Sequence, residues 1–161
     1  MRLSSMSRWV GTAVVGMAAT VILAAPASAS GYKMSQSEAA SSLRSVGITW
    51  SSTGGCTNRY ISTCTSFEQI NSGTVNGAKT LHTASGCAVN ITGGTEVGHA
   101  SGTYSHWNGY KIDISKYTCI GNYIHNSFTR ISNRADGYPR WQSAAGNIYC
   151  DEGTHWDILY Y

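Results

Sequence analysis

The stretch "GHASGTYSHWNGYKIDIS", residues 98–115, sets the fold class, because the chain changes period there. Over 109–115 the residues alternate: Tyr110, Ile112 and Ile114 fall on one face, Lys111, Asp113 and Ser115 on the other. This period of two predicts a strand with one buried and one polar face. Upstream, Asn108-Gly109 is a turn-forming pair. His106 and Asp113 are seven residues apart. Extended chain would hold them roughly 23 Å apart. They can serve one site only if the chain folds back at the turn. The same spacing also suits a surface histidine beside a solvated carboxylate.

Downstream, "HWDILYY" over 155–161 repeats the alternation, with His155, Asp157 and Leu159 on one face and Trp156, Ile158 and Tyr160 on the other. "GNIYC" ending at Cys150 is a further strand, and "DEGT" between the two is turn-like. Glu152 precedes His155 by three positions, so a turn at Gly153 would bring both to one cleft. Upstream, "CAVNITGG" predicts a strand over 88–93. Earlier segments are helical in pattern. Residues 35–46 carry a Ser35/Glu38 capping box and the helical spacing Ala39, Leu43, Val46. Ser66 and Gln69 repeat the capping-box spacing. "TVNGAKTLHTAS" predicts a helix that stops at Gly86. A short helix is expected around 121–129. Helices first and strands later give an α+β class: a small antiparallel sheet with helices packed on it.

Residues 1–29 have the pattern of a secretory signal peptide: Arg2 and Arg8, an apolar run from Trp9, and Ala27-Ser28-Ala29 as cleavage site. The expectation is a secreted protein with residues 30–161 as one domain and no membrane association once the signal is removed. Loss of Arg2 and Arg8 brings the 11 basic residues close to balance with the 8 acidic ones. That balance offers no basis for nucleic-acid binding, and a monomer is expected. All five cysteines lie in the mature part. Secretion favours disulfides, and the odd count leaves one thiol over. Cys56 and Cys64 flank a short polar loop and can close it. Cys87 and Cys119 meet if the strands beside them pair antiparallel, which leaves Cys150 unpaired. The competing arrangement joins Cys119 to Cys150.

His106, Asp113, His155 and Glu152 form the chemical inventory of a zinc hydrolase: three ligands, an open position for water, and an unligated carboxylate as base. His99, seven residues before His106, is a rival ligand or an orienting residue. His82 and His125 sit in helical segments and read as ordinary core or surface histidines. Trp50, Trp107, Trp141 and Trp156 suit core or cleft wall. "ITGGTE" lacks the spacing and lysine of a phosphate loop, and neither G-x-S-x-G nor His-Glu-x-x-His occurs.

"SHWNGYKID" followed by "EGTHWDI" resembles the zinc D-alanyl-D-alanine peptidases and phage endolysin peptidases, of the clan that includes the hedgehog signalling domain. The family pattern is His, six residues, Asp, with Gly three after the His: here His106, Asp113 and Gly109. It continues as Glu, two residues, His, often Trp: here Glu152, His155 and Trp156. The likeness spans roughly residues 66–160. It implies a hedgehog/D-Ala-D-Ala-peptidase-like fold, Zn2+ held by His106, Asp113 and His155, and Glu152 as catalytic base. It also implies stem peptides of bacterial peptidoglycan as substrate, in the cell-wall space. Where relatives often have an arginine for substrate carboxylate or oxyanion, this chain has Thr95-Glu96. Glu96 would instead meet a substrate ammonium or pair with Lys111 or an arginine, with Arg130, Arg134 and Arg140 as substitutes. Glu96, His99 and Trp156 are thus assigned to the substrate side. Two other expectations stand beside the peptidase: a catalytically silent metal-containing module that binds wall peptides or a protein, and a disulfide protein with incidental histidines.

Overall fold

The computed structural model describes residues 31–161. The signal-peptide expectation falls outside the described residues. Among the described residues, three α-helices accompany a two-stranded and a seven-stranded sheet. The strands are β1 (Lys33–Met34), β2 (Thr49–Trp50), β3 (Ile70–Asn71), β4 (Asn90–Gly93), β5 (Lys111–Ser115), β6 (Thr129–Ile131), β7 (Arg140–Gln142), β8 (Ile148–Asp151) and β9 (His155–Leu159). The helices are α1 (Gln36–Arg44), α2 (Ser72–Ser85) and α3 (Thr118–Ser127). β1 pairs with β3, and the large sheet runs β2-β4-β5-β9-β8-β7-β6.

Helix α1 starts where its capping box predicts: the Ser35 side chain accepts from the Glu38 amide, and Glu38 accepts from the Ser35 amide. Helix α2 ends at Gly86, which is left-handed at φ 64. Ser66–Gln69 does not open a helix. Ser66 receives no helical turn after it, and Gln69 takes φ 65, which breaks any helix. The Ser66 region is instead held by Glu96 and by Thr95, whose amide donates to the Ser66 carbonyl at 2.7 Å.

The sheet is larger and less uniform than the sequence predicts. β4-β5-β9-β8-β7-β6 is antiparallel, but β2 lies parallel to β4 at the edge. The strands β6 and β7 carry no signal in the sequence because each has three residues, too few to show a period.

One face of the sheet is apolar. Ile91, Ile112, Ile114, Trp156, Ile158 and Tyr160 pack there against Val75 and Leu81 of α2 and Ile120 and Ile124 of α3, all buried. The opposite face of the β5–β9 pair carries the polar alternates. Its register sets Asp113 directly across from Asp157 and Ser115 across from His155. Two disulfides, Cys56–Cys64 and Cys87–Cys119, have Cα separations of 5.1 and 5.8 Å, and Cys150 is a buried free thiol. The second bridge ties the start of the α2–β4 connection to the first turn of α3. No described helix is long and apolar enough to cross a membrane.

Candidate metal centre

The Asn108-Gly109 turn performs the fold-back that the spacing required. The Gly109 amide donates to the His106 carbonyl at 2.7 Å, and Tyr110 N–H to the Ser105 carbonyl at 3.1 Å. Gly109 has φ +76 and lies against backbone, so a Cβ there would meet the Gln69 carbonyl oxygen at 2.6 Å. His106 is thereby folded over β5, with its Nε2 3.4 Å from Asp113 Oδ1. His155 reaches the same oxygen from β9, Nε2 to Oδ1 at 3.7 Å. His99 approaches the other oxygen, Nδ1 to Asp113 Oδ2 at 3.6 Å, and its ring stacks on His106 with centroids 3.8 Å apart. One ligand atom from each of His99, His106 and Asp113 lies within 4.8 Å of the others, so this group could hold a metal ion.

Each histidine has its remote nitrogen occupied. His106 Nδ1 is 2.8 Å from the Gly94 carbonyl, His155 Nδ1 is 2.9 Å from Thr154 Oγ1, and His99 Nε2 is 3.1 Å from Glu96 Oε1. Metal-binding histidines are oriented in this way. A carbonyl or carboxylate only accepts, so the remote nitrogens of His106 and His99 carry hydrogen, and the second nitrogen of each ring faces Asp113.

The carboxylates fit a cation as well. Asp113 and Asp157 face each other across strands and are both buried. Like charges placed so are unfavourable. Oδ1 of each is buried without a hydrogen-bond partner. Asp157 Oδ2 is answered by Lys111 Nζ at 2.6 Å and Arg134 Nη1 at 3.0 Å, while its Oδ1 lies 3.7 Å from His106 Nε2. Burial opposes a charge on His106, but the Asp113 and Asp157 carboxylates outweigh it and raise the imidazole to about 9. For Asp157, burial again opposes ionisation, yet His106 and Lys111 hold the carboxyl well below its usual range. Without a metal, the proton on His106 is the local counter-charge. The N···O separations of 3.4–3.7 Å are also close to the edge of about 3.3 Å expected for two ligands on one zinc.

Glu152 stands at the rim. The turn at Gly153, φ +83, brings its Oε2 to 3.2 Å from His155 Nε2, and Oε1 lies 2.6 Å from Arg134 Nη1. These groups line a cleft of about 600 Å³ together with Lys111 and Asp136.

Two of the substrate-side residues lie elsewhere. Trp156 is fully buried on the apolar face, because β9 alternates and His155 takes the cleft side. It packs against Trp141 and His125 and cannot touch a cleft ligand. Glu96 is also buried, and its carboxylate is fully engaged by the Ser66 and Gly94 amides and by His99. It meets neither Lys111 nor an arginine. Of the substitutes, Arg134 enters the cleft. Arg130 and Arg140 are held by hydrogen bonds within the β6–β7 hairpin. His82 is anchored to the Cys87 carbonyl and His125 lies beside Trp141. The sequence missed the role of Asp157 and of Lys111. Their alternation with Asp113 and His155 was the available signal, but only the cross-strand register joins the faces.

No protein-family model, curated protein or solved structure matches this chain.

Proposed function

We propose that this protein is a secreted zinc peptidase that hydrolyses peptidoglycan stem peptides, with a fold related to the hedgehog/D-Ala-D-Ala peptidases. The observation that carries the reading is the buried, unpartnered Asp113 Oδ1 between the Nε2 atoms of His106 and His155, with Glu152 beside it in an open cleft. Two disulfides accord with an extracellular setting.

His106, Asp113 and His155 would hold the ion. When bound, zinc supplies a Lewis acid and an activated water at neutral pH. The remaining tasks belong to the chain. Glu152 Oε2 already points to the His155 side of the cleft, where it takes a proton from water and returns it to the leaving amine. Arg134 pairs with Glu152 and Asp157 and, among the described residues, has the only guanidinium lining the cleft. Its fork suits a substrate carboxylate or a developing oxyanion, the work that Glu96 cannot do. Lys111 keeps Asp157 ionised beside His106.

The experiment is digestion of muropeptides by the zinc-loaded chain, read by mass spectrometry, beside Glu152→Gln. Cleaved stem peptides with the wild type and at least a hundredfold slower cleavage with the variant are expected. Intact muropeptides that nevertheless bind the loaded chain would establish the silent binding module instead.

A further inference from the structure

His99 has more structural support than an incidental neighbour requires. Its Nε2 is fixed by Glu96, which is itself buried and clamped by the Ser66 amide at 2.7 Å and the Gly94 amide at 2.9 Å. That support leaves Nδ1 facing Asp113 Oδ2 at 3.6 Å, too long for a hydrogen bond and near the edge of a coordination polyhedron. The approach depends on Gly93. A Cβ at that position would lie 2.6 Å from Asp113 Oδ2 and 3.1 Å from His99 Cε1. A buried carboxylate, an imidazole and a free coordinating nitrogen in line form the carboxylate–histidine–metal arrangement.

Resting on the zinc reading above, we propose that His99 is a fourth, displaceable ligand, so that His99, His106, Asp113 and His155 together close the resting site. A closed set of four is the mark of a structural zinc site, and an open position that of a catalytic one. The structure provides for the change between them. His106 and Asp113 are buried, whereas the His99 side chain is 25 % exposed and sits in the irregular loop between β4 and β5. His99 also lines a second cavity of about 330 Å³, with Val97, Ser101 and Trp107 among others, which offers space for a displaced ring. Gly98, at φ +109, precedes it in a backbone conformation that other residues rarely adopt. A substrate oxygen or a competing chelating group would take the place that His99 leaves.

X-ray absorption on the zinc-loaded, disulfide-intact chain counts imidazoles without any variant. Three are expected at rest and two after addition of acetohydroxamate. His99→Ala should show two without acetohydroxamate and release zinc at least tenfold more readily in a chelator competition. Two imidazoles in the resting wild type, or zinc affinity unchanged in His99→Ala, overturns this proposal alone. Three that persist with acetohydroxamate bound overturn the displacement. A chain that takes up no zinc overturns the underlying metal reading as well.

Discussion

In the proposed site, His106 would couple the proton and the metal at one atom. The facing carboxylates raise its imidazole to about 9, so at neutral pH a zinc ion bound there would have to displace a proton. Zinc affinity should therefore climb by roughly tenfold per pH unit between pH 7 and 9 and then level, with proton release on binding measurable by calorimetry in buffers of different ionisation enthalpy. A flat profile over that range would remove His106 from the ligand set. The metal-free chain should behave in the opposite sense. A folded pKa above the unfolded value of 6.5 gives stability that is complete below about 6.5 and lost as pH rises through about 9. Denaturant midpoints of the chelated protein should fall across that window. Glu152 is separable from both effects: Glu152→Gln should keep zinc stoichiometry while losing turnover, whereas His106→Ala should lose both. Residue types at these positions were legible in the sequence. The assignments of Trp156 and Glu96 were not, because neither burial nor hydrogen-bond saturation is visible in residue identity.

Between elements, register and close approach carry the fold. The β5–β9 pairing places Asp113 against Asp157 and turns Trp156 and Ile158 inward in the same stroke, so a slip of one residue would exchange cleft and core. The Cys87–Cys119 bridge spans 32 residues and encloses β4, the His99–His106 loop and β5. Replacing both cysteines with serine should cost about 2–4 kcal/mol in thermal or denaturant unfolding. Because the enclosed segment carries three proposed ligands, zinc affinity should fall as well. Unaltered affinity would mean that strand pairing alone positions them. Helix α2 makes a tighter contact than its composition suggests. A Cβ on Gly77 would sit 2.2 Å from Tyr160 Cδ1, so Gly77→Ala should destabilise by roughly 1–3 kcal/mol through overpacking against the terminal strand. A melting temperature equal to wild type would show that Tyr160 yields freely. At this scale, α1 with its capping box and α2 with its glycine stop were legible, since their signals are local.

For the whole molecule, a metal in the proposed site would join parts that no local signal connects. β5 carries Asp113, its preceding loop His99 and His106, and β9 His155, so an ion held by the proposed set would link the central strands to the loop above them. Free zinc at a hundred times its dissociation constant should add about 2.7 kcal/mol of stability, visible as a raised melting temperature that EDTA reverses. An unchanged melting curve at saturating zinc would argue against any site of this kind. By itself the sequence determined the capped start of α1, the glycine stop of α2, the alternation of β5 and β9 and the set of side chains able to ligate, and it narrowed the Cys119 bridge to two partners. Capping, period and loop closure act over a few residues or follow from neighbouring strands. Tertiary structure alone decided that β2 joins parallel at the edge, that Glu96 is spent on backbone amides and His99, that Trp156 is core, and that Arg134 enters the cleft. Each of these follows from contacts between segments far apart in the chain, which fix burial and charge pairing only once the whole sheet has assembled.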